Sequence, residues 1–469
     1  MAKFLWFMPA FFWIQIIGCS PLVKVPKVEP ELELPESFSL SGNKEIKQKW
    51  WKHFPDQTLW TLVERAFKYS PTLKAARAKL LQARALALKS GVSLYPEVSG
   101  SIKGGPGYNY DLGNNSGSSF QTFSLAFNAS YEVDLWGKNS YLRQAAAHNV
   151  KAARHLVKAS ALTLSGEIVS VWYQLASLQE QVVLLQSQVK LNESYLKSLI
   201  LHYKQGADNS TEILQQSKTV QSLKSELLKK LDEIIIQKNR LALYIGILPN
   251  NLKAELPDKL PQLPQLPKTG IPLEVIKNRP DLRAAWLEIM AQNARVASAL
   301  ANRFPRLSIT AELSSNTNKI KDVFKNWLVN LLGNLTAPLF DAGNLKAEQL
   351  KEKAILEEKL ANYQNVALKA VIDIETYLQR EKLQKNYIVN LKKQIDLSEK
   401  VLERLKYRYH KGVLEFSIYL STKIGFQNLQ LNFINAKSDL IQIRIGLLKS
   451  LAGGFPASNS KQEANKDEQ

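Results

Sequence analysis

From Phe123 to Asp134 the chain alternates strictly. Phe123, Leu125, Phe127, Ala129, Tyr131 and Val133 fall on one side; Ser124, Ala126, Asn128, Ser130, Glu132 and Asp134 fall on the other. A period of two with one apolar side is the pattern of a β-strand. The polar side carries two carboxylates, Glu132 and Asp134, so it is expected to meet water and not a core. After Gly137 the period becomes helical, and no proline follows until Pro249. Leu175, Leu178, Val182, Leu185, Val189, Leu196 and Leu199 form a heptad-like seam with Asn192 as its polar exception. The helix runs to about Gly206, a span of about 100 Å at ~1.5 Å per residue. A strand of membrane-crossing length, about 9–11 residues, thus runs directly into a very long helix.

The flanking segments extend the pattern. Asp56 to Leu94 is helical, interrupted at Pro71, with Ser70 as the expected N-cap. Glu97 to Gly104 alternates as a first strand, and Gly104 to Ser118, rich in Gly, Asn, Pro and Ser, reads as a long polar loop. Residues 97–134 therefore form one hairpin. Gly206 followed by Asn209-Ser210 is a helix stop and a cap, and a second helix runs to about Ile245. Residues 249–272, with six prolines from Pro249 to Pro272, are a stiff connector.

Everything after the connector restates what precedes it. Ser70-Pro71-Thr72-Leu73-Lys74-Ala75-Ala76 matches Arg279-Pro280-Asp281-Leu282-Arg283-Ala284-Ala285, and Tyr95-Pro96 matches Phe304-Pro305. Taking 71 from 280 and 96 from 305 gives the same shift of 209. Leu307, Ile309, Ala311 and Leu313 alternate as a third strand, and Leu331 to Asp341 restates the second. A second long helix holds no Gly or Pro from Asn344 to Lys411, and Tyr409-His410-Lys411-Gly412 matches Tyr203-Lys204-Gln205-Gly206. The order predicts a tandem duplication: helix, strand, strand, long helix, tight turn, helix, twice. The fold class is mainly α with a β membrane part.

Residues 1–18 read as a signal peptide, with Lys3 before an apolar run. The chain's one cysteine, Cys19, ends it, and Ile16-Ile17-Gly18-Cys19-Ser20 resembles a bacterial lipoprotein lipobox, with Ile16 where Leu is usual. That resemblance implies acylation at Cys19 and, with Ser20 next, an outer-membrane address. Residues 19–55 then form a proline-spaced tether, with a short helix near Lys44–His53. The repeats occupy 56–248 and 273–455, and 456–469 is a polar, disordered tail.

The net charge of +20 is spread along helical faces beside acids, with no arginine-rich tract, so no nucleic-acid partner is expected. One cysteine and five scattered histidines leave no disulfide and no zinc spacing, and no cofactor is expected. No phosphate-cradling loop or nucleophile-and-base motif appears. Gly104-Gly105-Pro106-Gly107 has no helix after it, and Glu132 and Asp134, two apart on a strand, suit a wet lumen better than acid–base work.

The segments Arg279-Pro280-Asp281-Leu282, Phe304-Pro305, Tyr131-Glu132-Val133-Asp134-Leu135-Trp136-Gly137, Leu339-Phe340-Asp341-Ala342-Gly343 and the two Tyr-x-x-Gly turns resemble the TolC-like outer-membrane efflux proteins, closest to their lipoprotein branch. The resemblance covers residues 40 to 455. It implies a homotrimer whose strands close a 12-stranded β-barrel in outer-membrane lipid, above a long α-helical periplasmic tunnel. The function it implies is the exit duct of a tripartite efflux system, passing small molecules or drugs. A periplasmic adaptor (membrane-fusion) protein and an inner-membrane efflux pump would dock at the turns of Gly206 and Gly412. It places the periplasmic aperture on a helix beginning near Val413, at Ser417, Ile418 and Ser421. Related channels commonly carry aspartates there. Here no carboxylate is expected on that face, with Glu415 pointing elsewhere, so closure by packing and weaker cation selectivity are expected. The alternative is a lipid-anchored periplasmic coiled-coil scaffold without a pore. An apolar strand face bearing Phe123, Phe127 and Tyr131 argues against it.

Overall fold

The structure, a computed structural model, describes residues 33–43, 49–206 and 210–451. The signal peptide, Cys19, most of the tether, Asn209 and the tail from 456 lie outside the described residues. In chain order the elements are α1 (Gln57–Tyr69), α2 (Pro71–Val92), β1 (Glu97–Asp111), β2 (Ser116–Val133), α3 (Lys138–Lys204) and α4 (Ser210–Ile245). After the connector come α5 (Pro272–Asn278), α6 (Pro280–Ala301), β3 (Arg306–Thr317), β4 (Leu328–Thr336), α7 (Asn344–His410) and α8 (Phe416–Leu451). The duplicated order is present, and α3 and α7 have the same length, 67 residues.

The chain divides into two compact units, neither of which coincides with one repeat. One takes 79–154 and 284–364; the other takes 33–78, 155–283 and 365–451 of the described residues.

The first unit holds a four-stranded antiparallel sheet in the order β1-β2-β3-β4. The expected polar loop from Gly104 to Ser118 is mostly strand. β1 continues to Asp111 and β2 begins at Ser116, with Gly104 opposite Phe123 and Gly107 opposite Phe120. A Cβ on Gly104 would lie 2.9 Å from the Phe123 ring, and one on Gly107 2.4 Å from the Phe120 ring. These glycines make room for aromatic rings laid across from the neighbouring strand, so here Gly marks close packing, not a loop. Pro106 sits in β1, an edge strand of this sheet, where a missing N–H is tolerated. β4 also departs from expectation, starting at Leu328 and ending at Thr336, ahead of Pro338. Beside the sheet, α3 and α6 pack through small residues, Ala145 against Ala291 and Ala294, while Tyr141 packs on Ala297 and Ala301.

The second unit is helical. Trp50, Trp51 and Phe54 are fully buried with Ile168, Trp172 and Tyr173 of α3 and Leu241 of α4. Residues 49–55, expected to end a tether, are therefore core. Three aromatic side chains in five residues bury too much apolar surface to remain in water. Phe38 likewise packs on Val275, Ile374 and Leu378. Asp56 joins two elements: its Oδ1 caps α1 by accepting from Leu59 N–H at 2.9 Å, and its Oδ2 accepts from Trp172 Nε1 at 2.7 Å. Ser70 stands where an N-cap belongs, but its buried Oγ makes no capping bond. The heptad seam of α3 is buried, Asn192 included, except for the half-buried Leu196, and Gln216 of α4 donates to the Asn192 carbonyl at 2.9 Å.

The connector lies along this core instead of spanning free of it. Leu252, Leu256, Leu260 and Leu263 pack on the core, and Leu260 N–H donates to Glu180 at 2.7 Å. Arg444 of α8, 1% exposed, donates Nε to Glu381 of α7 at 2.7 Å and Nη1 to the carbonyls of Pro264 at 2.8 Å and Gln265 at 3.1 Å. Its Nη2 also bonds Glu381, which Lys385 approaches at 2.7 Å. Burial raises the Glu381 carboxyl pKa, but the Arg444 and then the Lys385 contacts outweigh burial and hold it below the ordinary value.

Candidate functional site

The ladder sorts the sheet into two chemically opposite faces. One row reads Gly100, Phe127, Leu313, Val329; the next on that face reads Val98, Ala129, Ala311, Leu331. The alternate rows read Ser99, Asn128, Glu312, Asn330 and then Glu97, Ser130, Thr310, Leu332. Between the Val133 and Phe123 levels the four strands follow the alternation first visible in β2, with Ala126, Leu328 and Leu332 as apolar exceptions on the polar face and Ser315 and Thr317 as polar ones on the apolar face; beyond Phe123, Phe120 also lies on the polar side. The apolar face is not covered within the chain: Val98 is 71% and Val329 73% exposed. A continuous uncovered apolar face of this kind marks a contact with lipid or with another chain.

Glu132 lies on the polar face in β2, where its carboxylate pairs with Lys138 at 2.8 Å. Asp134 does not line the strand. β2 ends at Val133, and the Asp134 carboxylate turns onto the start of α3, accepting from Asn139 N–H at 3.0 Å and Ser140 N–H at 2.7 Å. The first amides of a helix have no partners inside the helix, and a carboxylate also complements the helix dipole there. Gly137, at φ +80°, makes the corner between strand and helix. The second repeat builds the same corner. Asp341 accepts from Gly343 and Leu345 N–H at 3.0 and 2.8 Å, Gly343 has φ +87°, and those amide bonds hold the Asp341 carboxyl below its usual range. Trp136 of the first corner stacks on Phe304 at 4.8 Å and donates Nε1 to the Pro305 carbonyl at 2.7 Å. The Phe-Pro of one repeat is thereby tied to the Trp-Gly of the other.

In the helical unit, Gly206 and Gly412 follow the two long helices at φ +79° and +72° with open space where a Cβ would project. Backbone conformation alone therefore calls for glycine. Gly412 N–H donates to the Tyr409 carbonyl and Val413 N–H to the Arg408 carbonyl, the paired bonds of a Schellman stop. α8 begins at Phe416, not near Val413. Ser417, Ile418 and Ser421 are exposed on its first turns, while Phe416, Tyr419 and Leu420 face inward. The later start changes one expectation. Glu415 precedes the helix, so helical geometry does not direct it away, and its Oε2 accepts from Ser417 Oγ at 3.3 Å. A carboxylate therefore does stand beside the Ser417–Ser421 face.

Behind that face lies a cluster the sequence reading missed. Tyr195, Tyr409, Phe416 and Tyr419 pack together, with Tyr195 stacked on Phe416 at 5.0 Å. The buried Lys423 ammonium sits 5.0 Å from the Tyr195 ring centroid. Burial, then the Lys406 charge, pushes the Lys423 pKa down to about 8. The available signal was a row of tyrosines near both turns; Lys423 itself looked like one more solvated charge.

Among the described residues no group of three or more His, Cys, Asp or Glu is placed to hold a metal, and no helix is long and apolar enough to cross a membrane.

Residues 62–247 and 271–453 match the outer membrane efflux protein family. The chain is 30% identical over 445 residues to the pyoverdine export outer membrane protein OpmQ of Pseudomonas aeruginosa, covering 91% of each. It is 23% identical to the cation efflux system protein CusC of Escherichia coli, covering 96% of this chain and 98% of that one. Among solved structures, the outer-membrane channel OprN superposes with a TM-score of 0.85 at 22% identity, covering 92% of this chain and 99% of OprN. The Campylobacter jejuni CmeC outer membrane channel superposes with a TM-score of 0.84 at 22% identity, covering 96% and 98%. The chain belongs to the outer membrane efflux protein family and is a bacterial outer-membrane efflux channel with a large periplasmic helical part.

Proposed function

We propose that three copies of the chain close one 12-stranded barrel, and that this trimer is the passive exit duct of a tripartite system. The observation that carries this reading is the sheet: four strands, one uncovered apolar face, and open edges at β1 and β4. An open edge cannot face lipid, because its N–H and C=O groups have no partners there. Pairing β4 of each copy with β1 of the next removes all edges. The apolar rows then face lipid and the Ser, Thr, Asn and Glu rows line water. A periplasmic adaptor and an inner-membrane pump dock at the turns of Gly206 and Gly412, with Ser417, Ile418 and Ser421 at the closed end. The named relatives serve cargoes as unlike as pyoverdine and cations, which supports a duct that leaves choice to the pump and passes small molecules or drugs. Detergent-solubilised protein should have the mass of three chains and give discrete single-channel steps in planar bilayers. Stable monomers that keep their β-signal, or trimers that never conduct, would reject the reading and favour the scaffold.

The face assignment has its own test. Phe127→Asp puts a charge at membrane depth, at a cost of up to a few kcal/mol on a barrel face. Heat-resistant trimer in the outer-membrane fraction should fall for Phe127→Asp and stay near wild type for Asn128→Asp. The reverse ranking would invert the two faces.

We also propose that Cys19 is acylated, on the strength of its place after the apolar run and its being the one cysteine of the chain. A labelled fatty acid should mark the wild type and not Cys19→Ser; equal labelling of both would end the idea.

A further inference from the structure

The strands set a ruler. From Val133 to Phe123 the apolar side of β2 advances ten residues, paired level by level with Leu307 to Thr317 of β3. At ~3.4 Å each and a tilt of about 40°, that is about 26 Å, close to the ~25 Å apolar band of an outer-membrane barrel. β3 therefore ends where the hydrocarbon ends. The opposite end of β3 joins α6 and that of β4 joins α7, so the β3–β4 loop lies on the side away from the periplasm. The β1–β2 hairpin behaves differently. It continues past the Phe123–Thr317 level to Asp111 and Ser116 and reaches beyond the boundary.

The loop at that boundary is both apolar and basic. Ile320 is 69% and Phe324 74% exposed, and Trp327 is exposed too. Interleaved with them are Lys319, Lys321 and Lys325, against one acid, Asp322, which pairs with Lys325 at 2.6 Å. Apolar side chains at this depth rest on the acyl boundary. Lysines beside them stand at the height of lipid phosphates.

We infer that the β3–β4 loop is a docking surface for phosphate-bearing lipid headgroups of the outer leaflet, with Ile320, Phe324 and Trp327 seated at the acyl boundary and Lys319, Lys321 and Lys325 on the phosphates. The inference rests on the barrel reading above. It commits to lipid and not to soluble anions because the charges are continuous with the lipid-facing apolar rows, and charge on a membrane-proximal loop is complementary to an anionic surface. Three copies place nine such lysines around one barrel.

The test uses full-length trimers in phosphatidylcholine bilayers with trace spin-labelled phosphatidic acid or spin-labelled phosphatidylcholine. Electron spin resonance then gives the association of each probe with the protein surface. Phosphatidic acid should be preferred about three- to fivefold at low salt, with the preference falling at 0.5 M salt as screening shortens. Lys319→Gln/Lys321→Gln/Lys325→Gln should bring the ratio near one while leaving the immobilised phosphatidylcholine fraction unchanged, which shows that insertion is intact. Equal association of both probes with the wild type overturns the inference. A preference that survives in the loop variant but disappears in Arg303→Gln/Arg306→Gln also overturns it, by placing the anionic lipid at the periplasmic rim. Absence of any immobilised lipid rejects the membrane reading itself, and the inference with it.

Discussion

Arg444→Ala should destabilise the helical unit by about 3–5 kcal/mol, the range for breaking a buried pair by removing one partner. Glu381 is 1% exposed and loses its charge partner, although Lys385 remains beside it. The Pro264 and Gln265 carbonyls lose their donor as well. Urea unfolding of the detergent-solubilised protein, followed by helical circular dichroism, checks the size; a loss under about 1 kcal/mol would mean the pair is dispensable. Arg444→Met/Glu381→Leu should cost much less than the single change, because no unpaired charge stays buried. The same pair sets an acid sensitivity. The folded Glu381 pKa lies below the unfolded value, so its contribution is complete above about pH 4.3. It is lost as pH falls through the folded value. Wild type should therefore lose stability on acidification more steeply than the double variant.

The duplication was legible because its markers are local. Pro71 and Pro280 fix helix starts, Pro96 and Pro305 precede strands, and the absence of Gly and Pro from Asn344 to Lys411 allows one long helix. The two faces of the sheet were legible for the same reason, since a period of two is written in one strand. What escaped depends on partners distant in sequence. Gly104 and Gly107 look like loop residues until Phe123 and Phe120 are seen lying across them. Trp50, Trp51 and Phe54 sit among residues that resemble a tether, but the surface they bury belongs to α3 and α4. Asp134 keeps the strand parity, yet the free amides of α3 claim its carboxylate. At the start of α8 the difference is three residues. Starting α8 at Phe416 leaves Glu415 outside it, and three residues of register decide whether that carboxylate joins the proposed aperture.

Ser421→Asp should raise cation over anion preference about tenfold. If Ser421 lines the closed end in a trimer, the substitution adds three charges around one narrow opening. Charges of one sign in a confined cleft build a potential of several kT, and a tenfold change in local ion concentration needs only about 1.4 kcal/mol. Glu415 refines what the wild type should do. Its carboxylate lies beside Ser417, so on the same placement the native opening carries charge, and a moderate cation preference is expected instead of none. Glu415→Gln should reduce that preference, and Ser421→Asp/Glu415→Gln should fall between the single variants. Reversal potentials across a salt gradient give the ratios, and block by divalent cations should strengthen with Ser421→Asp. Both substitutions leave the packed side of α8 alone, since Phe416, Tyr419 and Leu420 carry the contacts, so a folding defect does not explain a change in selectivity. If Ser421→Asp and Glu415→Gln both leave the reversal potential at the wild-type value, this face does not line the pathway. The aperture must then be sought on another turn of α8.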